Sequence, residues 1–240
     1  MSTPRRYRLR LIAARPLSPS VRELSFAAVG SHPQYHPGRS MNLYVPSASG
    51  LVMRRPYSVA SAPVPQGLLD FAVTRVEGGP TSTALHALSP GAEIDADGPN
   101  HGWLSRRQGE RELSAMMVAT GSGLAPFRAL LQEELARASG PPIVLLFGCR
   151  TEGDILWRDE LEDWAAAHPR FHLTITLSSP SGNWRGETGW VQRHLLGAAR
   201  VFQPTVVLLC GLSPMTDAVE RALVGAGFPA QTIRVEAFDR

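Results

Sequence analysis

The hydrophobic pattern of this 240-residue chain changes period once, and the change predicts two domains of different class. An antiparallel β-barrel is expected over residues 1–112, followed by an α/β domain with a doubly wound parallel sheet over residues 113–240. Three observations carry the prediction. Up to about residue 112, short alternating stretches are separated by Pro, Gly, Ser and Asn, with a single brief helical candidate. From Leu113 onward, apolar runs of buried-strand type alternate with amphipathic helical segments. Glycines recur where those runs end, which is where an open parallel sheet binds its ligands.

In the first part, strands are expected at 7–12, 21–27, 41–45, 69–76 and 93–96, each with apolar residues two apart so that one face turns inward. Residues 81–88 form the helical candidate, and the charged stretch 106–112 marks the boundary. In the second part, strand 115–119 leads to helix 127–138, strand 142–147 to helix 159–167, and strand 172–177 to helix 188–196. Strand 205–209 leads to helix 215–224, and 232–237 is the last strand. No internal repeat or low-complexity segment is evident.

Composition narrows the function. With 43% hydrophobic and 19% charged residues, each half has the apolar material for its own core. No apolar stretch approaches the roughly 18 residues of a spanning helix, and no apolar run follows the first eight residues. No membrane span is expected, and the cytoplasm is the expected compartment. Cys149 and Cys210 are the only cysteines, each after an apolar run, so reduced thiols are expected and an iron–sulfur cluster on four thiolates is excluded. His168 and His172, a histidine pair at helical spacing, straddle Pro169-Arg170-Phe171, so no metal site is expected. All 24 basic residues are Arg, so any cationic grip on a phosphate is a guanidinium. The net charge of +3 is spread over scattered arginines without an aromatic stripe, which argues against nucleic acid and suits a mildly basic surface facing an acidic partner.

Two motifs carry chemistry in the first part. Arg55-Pro56-Tyr57-Ser58 lies where strand-like alternation gives way to a turn; it offers a guanidinium for phosphate, a phenol ring for a flat cofactor and a small hydroxyl beside them. Gly78-Gly79-Pro80-Thr81-Ser82-Thr83 opens the helical candidate with glycines that let backbone approach a diphosphate, and with hydroxyls and amides at a helix start. In the second part, Gly121-Ser122-Gly123-Leu124-Ala125-Pro126-Phe127 joins a buried-type strand to a helix, turning backbone amides toward an anion. Pro126 falls in the first helical turn, where its missing N–H costs nothing.

With these strings the chain resembles the ferredoxin reductase superfamily of flavin and nicotinamide enzymes over nearly its whole length. Arg55-Pro56-Tyr57-Ser58 resembles the family's Arg-x-Tyr-Ser flavin motif, and Gly78 to His86 resembles its Gly-Gly-x-x-Ser-x-x-Leu-His. The resemblance implies that Arg55, Pro56, Tyr57, Ser58, Thr74, Gly78, Gly79, Ser82 and Thr83 hold a flavin, FAD rather than FMN. It implies that Gly121, Ser122, Gly123 and Pro126, together with Gly148, Arg150, Ser178, Arg185, Gly211 and Met215, hold NAD(P)H. Phe147-Gly148-Cys149-Arg150-Thr151 and Cys210-Gly211-Leu212-Ser213-Pro214-Met215 are similar to the family's other two nucleotide motifs. Cys210 is implied to lie beside the nicotinamide, with Ser58 near the flavin N5 edge, and Glu236 completes the hydride-transfer set. Phe238 stands near the position of a stacked Tyr in plant-type members, but two residues follow it.

The implied activity is hydride transfer from NAD(P)H to FAD and release of single electrons to a ferredoxin, flavodoxin or oxygenase component. Two alternatives stay open: a flavin reductase with a small-molecule acceptor, and an electron-transfer subunit without turnover of its own. NADPH-specific relatives commonly carry Ser-Arg at the end of the third parallel strand. This chain has Ser178-Ser179-Pro180 there, so NADH is the expected donor, with Arg185 as a substitute phosphate clamp if NADPH is used.

Overall fold

The computed structural model describes residues 5–46, 50–65, 67–100, 102, 104–107 and 109–239. The chain divides into two compact units, Met1–Ser105 with Ala125–Gln132, and Arg106–Leu124 with Glu133–Arg240.

The first unit is built on six antiparallel strands: β1 (Arg6–Pro16), β2 (Val21–Val29), β3 (Ser40–Pro46), β4 (Val52–Ser58), β5 (Leu69–Thr74) and β6 (Glu93–Asp97). Their order is β4-β3-β6-β1-β2-β5. Alternation sets the faces. Tyr7, Leu9 and Leu11 of β1 are buried, while Arg6, Arg8 and Arg10 between them stand opposite Asp97, Asp95 and Glu93 of β6. The Arg8–Asp95 and Arg10–Glu93 pairs close at 3.0 and 2.8 Å. Exposed pairs of this kind add little stability, but opposite charges across a ladder favour one register. Inside, Leu24 and Phe26 of β2, Met41 and Leu43 of β3, and Phe71 and Val73 of β5 complete the core. The Phe26 and Phe71 rings meet edge to face at 6.0 Å. The sheet curls until the residues beyond one edge reach the other: the Ala60 N–H, just past β4, donates to the Asp70 carbonyl of β5 at 2.7 Å.

Strand β4 corrects the sequence expectation. Residues 55–58 are not at the onset of a turn but form the last half of an edge strand paired along β3. Adjacent Arg54 and Arg55 hide its period, and Pro56 is tolerated because an edge strand leaves one row of N–H positions outside the ladder. Strand β5 ends at Thr74 rather than at 76, where the Arg75 N–H turns to the Ser20 carbonyl at 2.7 Å. Helix α1 (Pro80–His86) begins with proline in its first turn.

The second unit holds a six-stranded parallel sheet of β7 (Ala115–Thr120), β8 (Ile143–Cys149), β9 (Phe171–Leu177), β10 (Glu187–Thr188), β11 (Val206–Gly211) and β12 (Ile233–Ala237), ordered β10-β9-β8-β7-β11-β12. The helices of this half of the chain are α2 (Leu124–Leu135), α3 (Arg158–Ala167), α4 (Val191–Phe202) and α5 (Ser213–Gly225). Met116, Val118, Val144, Leu146 and Leu209 pack with Leu195 of α4 and Val219 and Leu223 of α5. The strand order reverses at β7, with β8 on one side and β11 on the other, which makes the carboxyl end of β7 a topological switch point.

Two further expectations shift. Helix α2 starts at Leu124 rather than 127 and ends at Leu135 rather than 138. Residues 188–196 are not one helix: Glu187–Thr188 add a short edge strand, Gly189 at φ +98° breaks the chain direction, and α4 begins at Val191. The charged stretch 106–112 packs as part of the second unit. There buried Arg106 donates to the Leu113 carbonyl at 2.6 Å and Arg234 pairs with Glu110. Among the described residues, no helix is long and apolar enough to cross a membrane.

Candidate functional site

In the first unit, the pairing of β4 with β3 decides which motif side chains share a face. Residues 53, 55 and 57 project to one side and 54, 56 and 58 to the other. Tyr57 is half-buried against the barrel core, and burial pushes its phenol up to about 12, with the Arg55 charge pulling the other way. It is therefore a neutral aromatic surface at any working pH. Arg55, on the same face, is exposed, its Nη1 donating to the Arg54 carbonyl at 3.2 Å. Helix α1 packs against β4, where the Thr81 hydroxyl meets the Met53 sulfur at 3.6 Å on that face. The fold thus brings the two sequence motifs of the first unit together.

The other face of β4 is held by residues that the motif does not announce. Asp97, buried at the end of β6, accepts from Asn42 Nδ2 at 2.5 Å and from the Tyr44 hydroxyl, and pairs with Arg54 at 3.2 Å. Burial alone would raise its carboxyl, but the bonds from Tyr44, Asn42 and Arg54 outweigh it and hold Asp97 below the usual carboxylate range. Asp97 follows Glu93 and Asp95 on the outward face of β6, so the strand's alternation gave no sign that this carboxylate is buried. Ser58 is buried opposite Ser40, and the next residue, Val59, donates its N–H to the Arg39 carbonyl at 2.9 Å.

In the Gly-Gly turn, Gly78 has φ +69°, and a Cβ on Gly79 would lie 2.9 Å from both Ser82 Oγ and Val76 Cβ. The Ser82 hydroxyl is committed to this turn: it accepts the Val76 N–H at 3.1 Å and donates to the Gly79 carbonyl at 3.1 Å. Thr83 is exposed and Thr74 half-buried; the Thr83 N–H donates to the Gly79 carbonyl at 3.1 Å.

In the second unit, β7 runs into a 3-10 turn, Gly121–Gly123, from which the chain continues into α2, whose residues Ala125–Gln132 count with the first unit and whose Pro126 is buried in its first turn. Three strand ends meet here with no room for side chains. A Cβ on Gly123 would lie 2.3 Å from the Cys210 carbonyl oxygen. One on Gly148 would lie 2.7 Å from Val191 Cγ1, and one on Gly211 would lie 2.5 Å from Thr120 Oγ1 and 2.8 Å from buried Met215. Gly121, at φ +52°, is exposed at the mouth, and Ser122 is half-buried beside it.

Cys210 lies between Ala119 of β7 and Glu236 of β12 in the sheet register and is fully buried. Burial first, and the Glu236 carboxylate second, raise its thiol well above the ordinary value, so it stays protonated. Cys149 is likewise raised by burial.

The Phe238 N–H donates to the Gly211 carbonyl at 3.0 Å, and the residue is 42% exposed. Beyond it, Asp239 accepts from the Ser213 N–H at 2.8 Å and its hydroxyl at 2.7 Å. That carboxylate supplies the side-chain cap that Leu212, at the N-cap of α5, lacks. The two residues after Phe238 therefore include a helix cap, which motif comparison overlooked. Arg150, Ser178 and Arg185 are all exposed beyond the ends of β8 and β9.

An exposed guanidinium and a neutral half-buried phenol on one face fit a flavin. A turn with glycine at both ends, set at a switch point and opening a 12-residue helix, fits a dinucleotide pyrophosphate. Comparison with known proteins agrees. Residues 8–104 match the family described as oxidoreductase FAD-binding domain, and residues 117–221 the oxidoreductase NAD-binding domain. Ferredoxin–NADP reductase B of Sorangium cellulosum is 42% identical over 242 residues, which cover 97% of this chain and 98% of that protein. The xylene/toluene monooxygenase electron transfer component of Pseudomonas putida is 31% identical over 215 residues, 85% of this chain and 57% of that protein. In fold, a cytochrome P450 reductase of Amycolatopsis matches with a TM-score of 0.85 at 22% identity, covering 99% of this chain and 72% of that one. The chain belongs to the ferredoxin reductase family and is an NAD(P)H-dependent flavoprotein oxidoreductase that uses FAD.

Proposed function

We propose that the protein takes a hydride from NAD(P)H onto FAD and passes the electrons one at a time to a separate redox protein of ferredoxin, flavodoxin or oxygenase-component type. The observation that carries this is the match at 42% identity, along 98% of its length, with a protein named as a ferredoxin–NADP reductase. Residues 1–112 are assigned to the flavin and 113–240 to the nucleotide. The two unpaired cysteines suit a reducing compartment, and the cytoplasm is the proposed one.

When bound, FAD accepts the two electrons of a hydride together and can release them singly. The chain itself supplies grip and orientation. Arg55 neutralises phosphate, Tyr57 covers one ring face, and Ser58 places a hydroxyl at the reacting edge; Thr74, Pro56 and the turn from Gly78 to Thr83 shape the rest of that cradle. Gly121, Ser122, Gly123 and Pro126 present the start of α2 to the pyrophosphate, with Gly148, Arg150, Ser178, Arg185, Gly211 and Met215 around it. Cys210, as a neutral thiol, orients the nicotinamide without acting as a nucleophile, and Glu236 and Phe238 border the same strand end.

The test has two stages. The purified protein should be yellow and should bleach under anaerobic NAD(P)H; a colourless preparation that cannot be reconstituted with FAD overturns the function. Reduced protein should then reduce a ferredoxin or flavodoxin faster than free flavin or a small quinone. The reverse order of rates would assign it to small acceptors, and inactivity toward every acceptor would assign it as an obligate subunit.

A further inference from the structure

The strand order splits the nucleotide cradle into two sides. The Gly121–Gly123 turn follows β7, and Cys210, assigned to the nicotinamide, lies on neighbouring β11. A dinucleotide whose pyrophosphate rests at β7 must lay its adenosine half the other way, over the carboxyl ends of β8 and β9.

There the chain leaving β9 is zipped along the chain leaving β8. The Ser178 N–H donates to the Cys149 carbonyl at 3.0 Å and the Ser179 N–H to the Arg150 carbonyl at 2.8 Å. The zip ends on Glu152, whose carboxylate accepts the Ser181 N–H at 3.0 and 3.2 Å and the Ser181 hydroxyl as well. A capping box fixes the base of the turn, with Thr151 Oγ1 donating to Asp154 at 2.8 Å. Glu152 is therefore a held charge rather than a mobile surface side chain. The Ser181 hydroxyl first, then the backbone N–H groups, keep its carboxyl below the usual range, so it is an anion at neutral pH.

Its neighbours cancel it only in part. Arg158 pairs with Glu162 at 2.7 Å and lies 5.6 Å over the Trp184 ring, and the strand end itself, Ser178-Ser179-Pro180, brings no cation. Arg158 is the cation that opposes it, and Arg150 and Arg185 are exposed on the same two loops.

We propose that Glu152 is a specificity-determining residue of the nucleotide site, a fixed negative charge at the adenosine end that disfavours the 2′-phosphate of NADPH and so selects NADH. The proposal rests on the function proposed above. A 2′-phosphate brings about 1.5 to 2 negative charges toward that carboxylate, whereas a 2′-hydroxyl brings none and can donate to it.

Glu152→Gln keeps an acceptor for Ser181 and removes only the charge; Ser181→Ala removes the hydroxyl bond and keeps both the charge and its backbone N–H tether. In the FAD-loaded protein, kcat/KM should favour NADH over NADPH by about tenfold, and Glu152→Gln should lower that ratio by about the same factor. Calorimetric titration with 2′,5′-ADP and 5′-AMP reads the same effect without turnover: Glu152→Gln should tighten the first relative to the second, and Ser181→Ala should keep the parent ratio. A parent preference for NADPH overturns the proposal. So does a Glu152→Gln protein with unchanged ratios, or a Ser181→Ala protein that shifts as far as Glu152→Gln, since loop geometry rather than charge would then decide. A protein that binds no FAD and oxidises neither nucleotide instead overturns the function on which the proposal rests.

Discussion

Arg55 and Arg54 are adjacent in sequence and opposite in role, because a strand turns neighbouring side chains to opposite faces. Arg54 is spent on Asp97, while Arg55 is exposed beside Tyr57. Arg55→Ala should weaken FAD retention about tenfold, the effect of one charge-assisted phosphate contact, as measured by the flavin dissociation constant. Unchanged affinity would show that Arg55 does not meet the phosphate. Cys210 and Ser58 are buried and small, so their proposed work is geometric. Cys210→Ala and Ser58→Ala should each slow flavin reduction in stopped flow by more than they weaken nucleotide or flavin binding. Parent rates in both variants would remove them from the hydride site. Motif spacing pointed to Arg55 and Tyr57, but Asp97, Asn42 and Tyr44 were invisible to it. Their importance comes from three strands meeting at one buried carboxylate, which no local pattern records.

At the scale of elements, the turn from β7 to α2 depends on backbone contact. Gly123→Ala would press a methyl group to 2.3 Å from the Cys210 carbonyl oxygen, a backbone atom that yields only if β11 or the turn moves. Nucleotide affinity should fall about tenfold or more while FAD content is retained, since a displaced turn no longer aims its amides at the pyrophosphate. Titration of the purified variant with NAD⁺ checks this, and parent affinity would show that the turn is not the nucleotide's anchor. The glycines were legible as a string, but what they make room for was not. Likewise β4 escaped notice because two arginines and a proline replace the alternation that marks a strand; pairing with β3 imposes the strand where propensity does not. The helix expected at 188–196 failed for the converse reason. Its apolar spacing runs through Gly189, whose positive φ ends one element before the next begins.

For the whole molecule, two thiols make stability depend on alkaline pH. Burial raises both Cys149 and Cys210, while in the unfolded chain each titrates near about 8.5. A raised folded-state value means that this contribution is fully present below the unfolded pKa and is lost as pH rises above it. Denaturant unfolding between pH 7 and 10 should therefore show stability falling above about pH 8.5, less steeply in a Cys149→Ala, Cys210→Ala double variant. Equal slopes would mean that the thiols ionise alike in both states.

The sequence by itself determined the change from short alternating strands to strand–helix repeats, the two flavin strings, the glycine loop, and with them the family and its cofactors. These are local: each depends on a few consecutive residues whose φ angles, charges or missing side chains the chemistry requires. Only the tertiary structure decided that β4 carries the flavin motif as an edge strand. It alone decided that Asp97 anchors that strand, that Asp239 caps α5, and that Glu152 is held by Ser181. Each of those joins residues 26 to 55 positions apart, or strands whose order the sequence does not state. A buried or tethered charge acquires its meaning from the partners that folding brings to it, and those partners carry no mark in the sequence.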